Sequence, residues 1–270
     1  MSFKNPLISI VIINYNKCNF ILQSIKSALN QNYKNKEIIF FDDQSTDDSL
    51  KKIKNFKKEN NLKFRIVFSS KKKKKFATIN HIEALKKSLK ISKGEYIFLL
   101  DSDDYFKKDK ISKVIETFKN DKKKKIILDQ PILKFSNREY KKKFQNLLRK
   151  KKWPKFPPTS CMSFEKKNLI NAMNSIDLKN YPNLAIDFRL AVYYSLILNN
   201  FYILNSHLTI YRQVKGSMDD KYKKYFSKEW WKRRSEAFEF LNELLRKNNL
   251  SVNRGIDFLL TRFFNKILNQ

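Results

Sequence analysis

The chain has 270 residues, with 58 Lys+Arg against 26 Asp+Glu and a formal net charge of +32. That length suits one large domain or two intimately joined ones, and 41% apolar with 14% aromatic residues argues for a folded core rather than a disordered chain. The charge favours polyanions, nucleotide diphosphates and anionic membrane surfaces, yet Lys outnumbers Arg 48 to 10 and is spread along the chain, unlike a compact nucleic-acid module.

Taken in order, "LISIVIIN" from Leu7 is short, β-branched and almost wholly apolar, as a strand covered on both faces is. Residues 19 to 31 follow with Phe20, Ile21, Ser24, Ile25, Ala28 and Leu29 at helical spacing. "KEIIFFDD" is a second apolar run ending in acids, after which Ser45 or Thr46 is expected to cap a Lys-rich amphipathic helix carrying Leu50, Ile53 and Phe56. "KFRIVFSS" reads as a third strand, Thr78 to Ile91 as a helix, and "GEYIFLLD" as a fourth strand. "KKKKIILDQPIL" holds another strand, and the Arg138 to Lys152 stretch is basic. "WPKFPPTSC", with three of the six prolines, is an extended connection. "IDFRLAVYYSLIL" is a dense apolar helix over 186–198, "FYILNSHLTIYR" a late strand, and the tail from Lys228 two helices, the second with a wide apolar stripe from Ile256 to Ile267. For the basic, aromatic stretch "EWWKRRSEAFEFLNELLRK" two outcomes are open: docking on anionic lipid, or an apolar stripe that simply packs on the sheet.

Cys18 and Cys161 have no metal-ligand spacing and read as small buried thiols of a reduced chain. No secretory signal is visible and no apolar run approaches the roughly 18 residues of a membrane span. A soluble or peripheral protein is expected, cytoplasmic or at the inner face of the plasma membrane.

Strands alternating with helices imply right-handed crossovers and a mostly parallel sheet. Ligands of such sheets sit at the carboxyl ends of the strands. "NYN", "DDQSTDD" and "DSDD" all fall there, so three loops can share one cleft. Any one acidic loop is explained by turns and caps; three together favour a site.

These stretches together resemble the family 2 glycosyltransferases of the GT-A fold. "ISIVIINYN" is similar to that family's opening strand, "IIFFDDQSTDDS" to its "DDGSTD" loop, and "GEYIFLLDSDD" to the strand leading into its DxD motif. "PTSCMSF", "IDFRLAVYY" and "YRQVKGSM" resemble its acceptor-side segments, so the likeness spans roughly residues 7 to 218. The resemblance implies an α/β, Rossmann-like GT-A domain flanked by helices. Residues 1–125 then form a nucleotide-sugar-binding half, 126–218 an acceptor-binding half of the same domain, and 219–270 a helical C-terminal extension.

It also implies a metal-dependent, inverting, hexosyltransferase-type enzyme of polysaccharide or cell-envelope biosynthesis. Such an enzyme moves a sugar from a nucleotide-diphospho-sugar, expected to be UDP-linked, to a hydroxyl of a glycan or lipid-linked acceptor. Asp103 is the metal ligand, Asp101 meets the ribose or metal-bound water, and the cation is Mn²⁺ or Mg²⁺, which favour hard oxygen donors. Ile13 and Tyr15 lie near the base, with Asp42 or Asp43 accepting from a pyrimidine N–H. Asn80 lies near the donor and Arg212 near the diphosphate. Asp187, preceded by Ile186 where the family usually has Glu, is the base. Asp104 either joins the site or caps a helix near Lys107; His81 and Lys215 are further candidates. Gln44 replaces the family's usual glycine, so its turn cannot freely use positive φ. His207 is expected to be a satisfied structural residue, and Arg189 to face solvent or pair locally.

The alternatives are an inactive GT-A-like scaffold, a nucleotidyltransferase and a basic nucleic-acid-binding protein. The three glycines, Gly94, Gly216 and Gly255, form no phosphate loop after the first strand. No nucleic-acid motif is visible and no specific nucleic acid is expected. The absence of Gln-x-x-Arg-Trp argues for single addition rather than processive synthesis.

Overall fold

The computed structural model describes residues 5–69, 75–145, 155–217, 220–222, 224–252 and 254–268. Its strands are β1 (Ile8–Asn14), β2 (Lys36–Asp42), β3 (Arg65–Phe68), β4 (Tyr96–Asp101), β5 (Tyr105–Phe106), β6 (Ile126–Lys134), β7 (Glu139–Lys141), β8 (Met162–Glu165) and β9 (Tyr202–Arg212). Its helices are α1 (Ile21–Leu29), α2 (Ser49–Glu59), α3 (Ala77–Ile91), α4 (Lys110–Asn120), α5 (Lys166–Ser175), α6 (Ile186–Val192), α7 (Lys228–Lys247) and α8 (Ile256–Leu268).

The strands form one sheet in the order β3-β2-β1-β4-β8-β6-β9-β5, with β7 alongside β6. Pairing is parallel through β3, β2, β1 and β4 and again between β6 and β9; it is antiparallel where β8 separates β4 from β6. The pleat explains the apolar runs. Ile8, Ile10 and Ile12 of β1 pack with α1, α2 and α4, whereas Val11 faces α3, α5, α6 and α7. Phe98 and Leu100 of β4 alternate with Ile97 and Leu99 in the same way, so both faces of the sheet are covered.

Close approach is most demanding at Gly94, before β4. Its amide donates to Ser9 Oγ at 2.9 Å, and a Cβ there would lie 2.4 Å from the Ser9 amide nitrogen. Gly94→Ala is therefore expected to cost about 3 kcal/mol, because backbone rather than a flexible side chain must give way; urea unfolding measures it.

Several local expectations change. α2 begins at Ser49 rather than near Ser45, because Ser45 and Thr46 bond across to the β1 loop. α4 begins at Lys110, so Asp104 caps nothing. The helix expected over 186–198 is α-helical only to Val192 and then widens into a π-type turn, with Leu198 N donating to Tyr193 O at 3.2 Å. Cys161 is buried but Cys18 only half-buried. His207 Nε2 has no hydrogen-bond partner, so this histidine is not fully satisfied.

Arg189 is fully buried, not at the surface. Its guanidinium donates to the carbonyls of Leu184, Asn180 and Tyr181 at 3.2, 2.8 and 2.7 Å and also to Asp177 O. Burial lowers its pKa to about 10, still charged at neutral pH. One side chain thus holds the whole 177–184 loop, which leads into α6. The C-terminal extension helps: Glu236 of α7 accepts from Asn183, and Tyr222 donates to Asn183 Oδ1 at 2.8 Å. The α7 side chains Phe238, Phe240, Leu241 and Leu244 complete the core on that face. Among the described residues no helix is long and apolar enough to cross a membrane.

Candidate active site

Parallel register sets the carboxyl ends of the strands level: Asn14 pairs with Asp42, and Ile13 with Asp101. The loops that follow open together on a cavity of about 530 Å³. Ile13, Tyr15, Asp43, Asn80, Asp101, Asp103, Asp187 and Arg212 all line it, eight of the nine residues given a definite role, and the further candidate His81 joins them.

The ninth, Asp42, does not reach the cavity. It is buried, and its carboxylate accepts from Asn14 Nδ2 at 2.8 Å, Ser45 N at 2.9 Å and Ser45 Oγ at 2.7 Å. Asp42 therefore laces the β2 loop to β1, leaving Asp43 as the acid facing the cleft. Asn16 Oδ1 accepts from Thr46 N at 2.7 Å and Asp47 Oδ2 from Cys18 N at 2.9 Å, extending the same lacing. Gln44 adopts φ +56° although it is not glycine. The left-handed conformation costs roughly 1 kcal/mol, and a bond from Gln44 Nε2 to Ser69 O at 3.1 Å offsets part of it. Gln44→Gly is expected to change stability by less than about 0.5 kcal/mol in urea unfolding, because relief of the left-handed strain is opposed by the freedom of glycine in the unfolded chain and by loss of the bond to Ser69 O.

Asp101 and Asp103 lie on a turn closed by Asp104 N donating to Asp101 O at 2.9 Å. Asp104 is buried beneath that turn, accepting from Ser160 Oγ at 2.6 Å and Arg212 N at 2.8 Å. Burial first, and then the charges of Asp103 and Asp101, push its carboxyl well above the ordinary carboxylate range. Ser160 Oγ also accepts from Asp101 N at 3.0 Å. Arg212, lying over the Tyr105 ring at 4.6 Å, donates to Asp103 O and to Gln23 Oε1. In this arrangement it braces the acidic turn.

Basic side chains sit against both acids of the turn. Lys17 Nζ is 2.8 Å from Asp103 Oδ2, and His81 Nε2 is 3.4 Å from Asp101 Oδ1. Burial opposes a charged imidazole at His81, but the Asp101 carboxylate, helped by Asp187 and Asp43, outweighs it and raises the pKa above its ordinary value. Asp187, second residue of α6, borders the cavity and accepts from Phe188 N at 2.7 Å. Lys215 is exposed and does not line the cavity, whereas Gly216 and Ser217 do. Lys17 and Ser160 were missed from the sequence. A lysine directly after a strand-end "NYN" was the available signal for the first; nothing marked the second.

No group of three or more His, Cys, Asp and Glu that could cage a metal occurs among the described residues. Two neighbouring carboxylates on an open cavity nevertheless fit a hard divalent cation whose remaining ligands are phosphate and water.

An α/β sheet with acidic strand-end loops converging on one cleft is the GT-A arrangement, and the solved structures bear this out. Staphylococcus aureus TarS 1-349 in complex with UDP-GlcNAc superposes with a TM-score of 0.65 at 15% identity, over 97% of this chain and 71% of that one. The mannosyltransferase PcManGT from Pyrobaculum calidifontis, in complex with GDP-Man and Mn²⁺, gives 0.61 at 12% identity over 98% and 70%. The sequence model of glycosyl transferase family 2 matches residues 9–176, more than half of the chain. The chain belongs to that family. Among curated relatives, the Escherichia coli UDP-Glc:α-D-GlcNAc-diphosphoundecaprenol β-1,3-glucosyltransferase WfaP is 41% identical over 116 residues, 43% of each chain. Escherichia coli chondroitin synthase is 32% identical over 116 residues, 43% of this chain and 16% of that one. The chain thus spans less than half the length of these relatives.

Proposed function

We propose that the protein is an inverting glycosyltransferase that moves a sugar from a UDP-linked donor to a hydroxyl of a lipid-linked or glycan acceptor. The observation that carries this reading is the convergence of Asp43, Asp101, Asp103 and Asp187 on one cavity in a chain of this family. The UDP sugars in the names of TarS and WfaP support the donor, and the diphosphoundecaprenol in the latter supports a lipid-linked acceptor.

In this reading residues 1–125 hold the donor, with the base between Ile13, Tyr15 and Asp43, and the diphosphate beside Asp101 and Asp103. Asn80 and His81 border the donor from α3. Residues 126–218 hold the acceptor, whose hydroxyl meets Asp187. The hydroxyl oxygen bonds to the anomeric carbon as the bond from that carbon to the diphosphate oxygen breaks. The proton passes to Asp187, the nucleoside diphosphate leaves with the electron pair, and direct displacement inverts the centre. Asp101 and Asp103 would hold Mn²⁺ or Mg²⁺, which supplies Lewis-acid stabilisation of the leaving diphosphate when bound. A second reading, favoured by the Lys17–Asp103 pair, has Lys17 as the cation that meets the diphosphate.

Calorimetric titration with UDP and GDP, with and without Mn²⁺, separates these. UDP affinity is expected to rise at least tenfold with Mn²⁺, with that gain lost in Asp103→Ala. Metal-independent binding lost in Lys17→Ala supports the second reading. GDP preference overturns the donor base, and no nucleotide binding overturns the transferase.

A further inference from the structure

The last helix carries an apolar face that the fold does not use. α8 packs on α7 through Phe258, Thr261 and Phe264: Phe258 meets Phe238 at 5.6 Å, Phe264 stacks on Trp231 at 4.8 Å, and Arg234 donates to Thr261 Oγ1 at 3.0 Å. At 3.6 residues per turn, Ile256, Leu259, Leu260, Phe263 and Ile267 occupy a different sector about 100° wide. All five are between 47% and 77% exposed. They do not pack on the sheet, because α7 already covers that face.

A chain of ring contacts that runs through the buried Trp231 leads from α8 to two further exposed aromatics. Phe263 meets Phe264 at 5.4 Å, and the stacked Trp231 leads to Trp230 at 4.7 Å and on to Phe226 and Tyr225 at 5.4 and 5.9 Å. Tyr225 and Phe226 are 72% and 70% exposed, and Phe226 has φ +62°, an uncommon backbone for a bulky residue. Exposed cations surround these rings: Lys224, Lys228 and Lys232 beside the aromatic end, Arg262 and Lys266 along the edge of the α8 sector.

We propose that this surface docks the protein on the face of an anionic lipid bilayer, with α8 lying in the interfacial plane. An apolar stripe edged by Lys and Arg, extended by Trp and Tyr, matches the acyl boundary and the anionic headgroups together. A second copy fits worse, since an isologous contact would bring the same cations face to face on chains of net charge +32.

Co-sedimentation of the full chain with phosphatidylcholine vesicles, with and without about one third phosphatidylglycerol, tests the docking without any donor or acceptor, so it stands apart from the proposed reaction. Binding is expected to the anionic vesicles. Phe263→Glu with Ile267→Glu should lower the partition coefficient about a hundredfold with unchanged circular dichroism, because both side chains are exposed. Arg262→Ala with Lys266→Ala should remove about tenfold of the preference for anionic lipid. The proposal is overturned if wild type ignores the anionic vesicles, or if the Phe263→Glu, Ile267→Glu variant binds them equally well. Light scattering that reveals a dimer abolished by that variant, without vesicle binding, would assign the surface to a second copy instead.

Discussion

Asp187→Asn is expected to lower kcat by about a thousandfold while leaving KM for the sugar donor within about twofold. The size follows from general-base catalysis, which contributes about 10²–10⁴, a thousandfold being roughly 4 kcal/mol of barrier. An amide oxygen can still accept from Phe188 N, as Asp187 does at 2.7 Å, so the start of α6 keeps its geometry. What is lost is the ability to take the acceptor proton. The donor contacts proposed for Ile13, Asp43, Asp101 and Asp103 come from other strands and are untouched, which is why kcat and KM should separate. Steady-state kinetics with a lipid-linked acceptor, together with UDP titration of the variant, reads both quantities. A fall in kcat of less than tenfold would remove Asp187 from the role of base.

Lys110→Met is expected to destabilise the protein by about 3–5 kcal/mol, or roughly 10 °C in Tm for a domain of this size. Lys110 and Asp129 are both fully buried, with Nζ 2.7 Å from Asp129 Oδ1. The other ammonium protons go to Ser160 O at 2.6 Å and Thr209 Oγ1 at 2.7 Å, and the group lies 4.0 Å from the centroid of the Phe106 ring. Methionine matches the stem but leaves Asp129 as an uncompensated buried charge. Lys110→Met combined with Asp129→Leu should recover part of the loss: an apolar pair avoids both desolvation costs but leaves the Leu208 amide without Asp129 and Ser160 O without Lys110. Thermal unfolding of the two single variants and the double variant decides it. The pair also matters to the site, because Ser160, held from below by Lys110, holds the Asp101 amide and Asp104 from above.

Much of the framework was legible in the sequence. β1, β2, β4 and β6 are apolar runs that bury both faces, and the amphipathic spacing of α1 and α2 shows which side meets the sheet. Acids after β2 and β4 pointed to the cleft because parallel strands in register must end level. The supports of that cleft were hidden for a physical reason. Lys17–Asp103, Asp104–Ser160 and Asn183–Glu236 join residues from separate segments, and no local periodicity marks either partner. For Arg189 the second of the two expectations holds: it pairs locally, with four carbonyls of the preceding loop, but from a buried position that its spacing does not reveal.

The sequence by itself determined the strands β1 to β4, β6 and β9 and the helices α1 to α3, that a sheet would be covered on both sides, and that acids would gather at strand ends, since these follow from spacing along the chain. Tertiary structure alone decided that Asp43 rather than Asp42 faces the cavity, that Asp104 lies beneath the acidic turn, and that the α8 stripe stays exposed. Each of those outcomes depends on which surface or polar partner another segment has already taken: Ser45 and Asn14 occupy Asp42, Ser160 and Arg212 occupy Asp104, and α7 occupies the sheet face that α8 would otherwise cover.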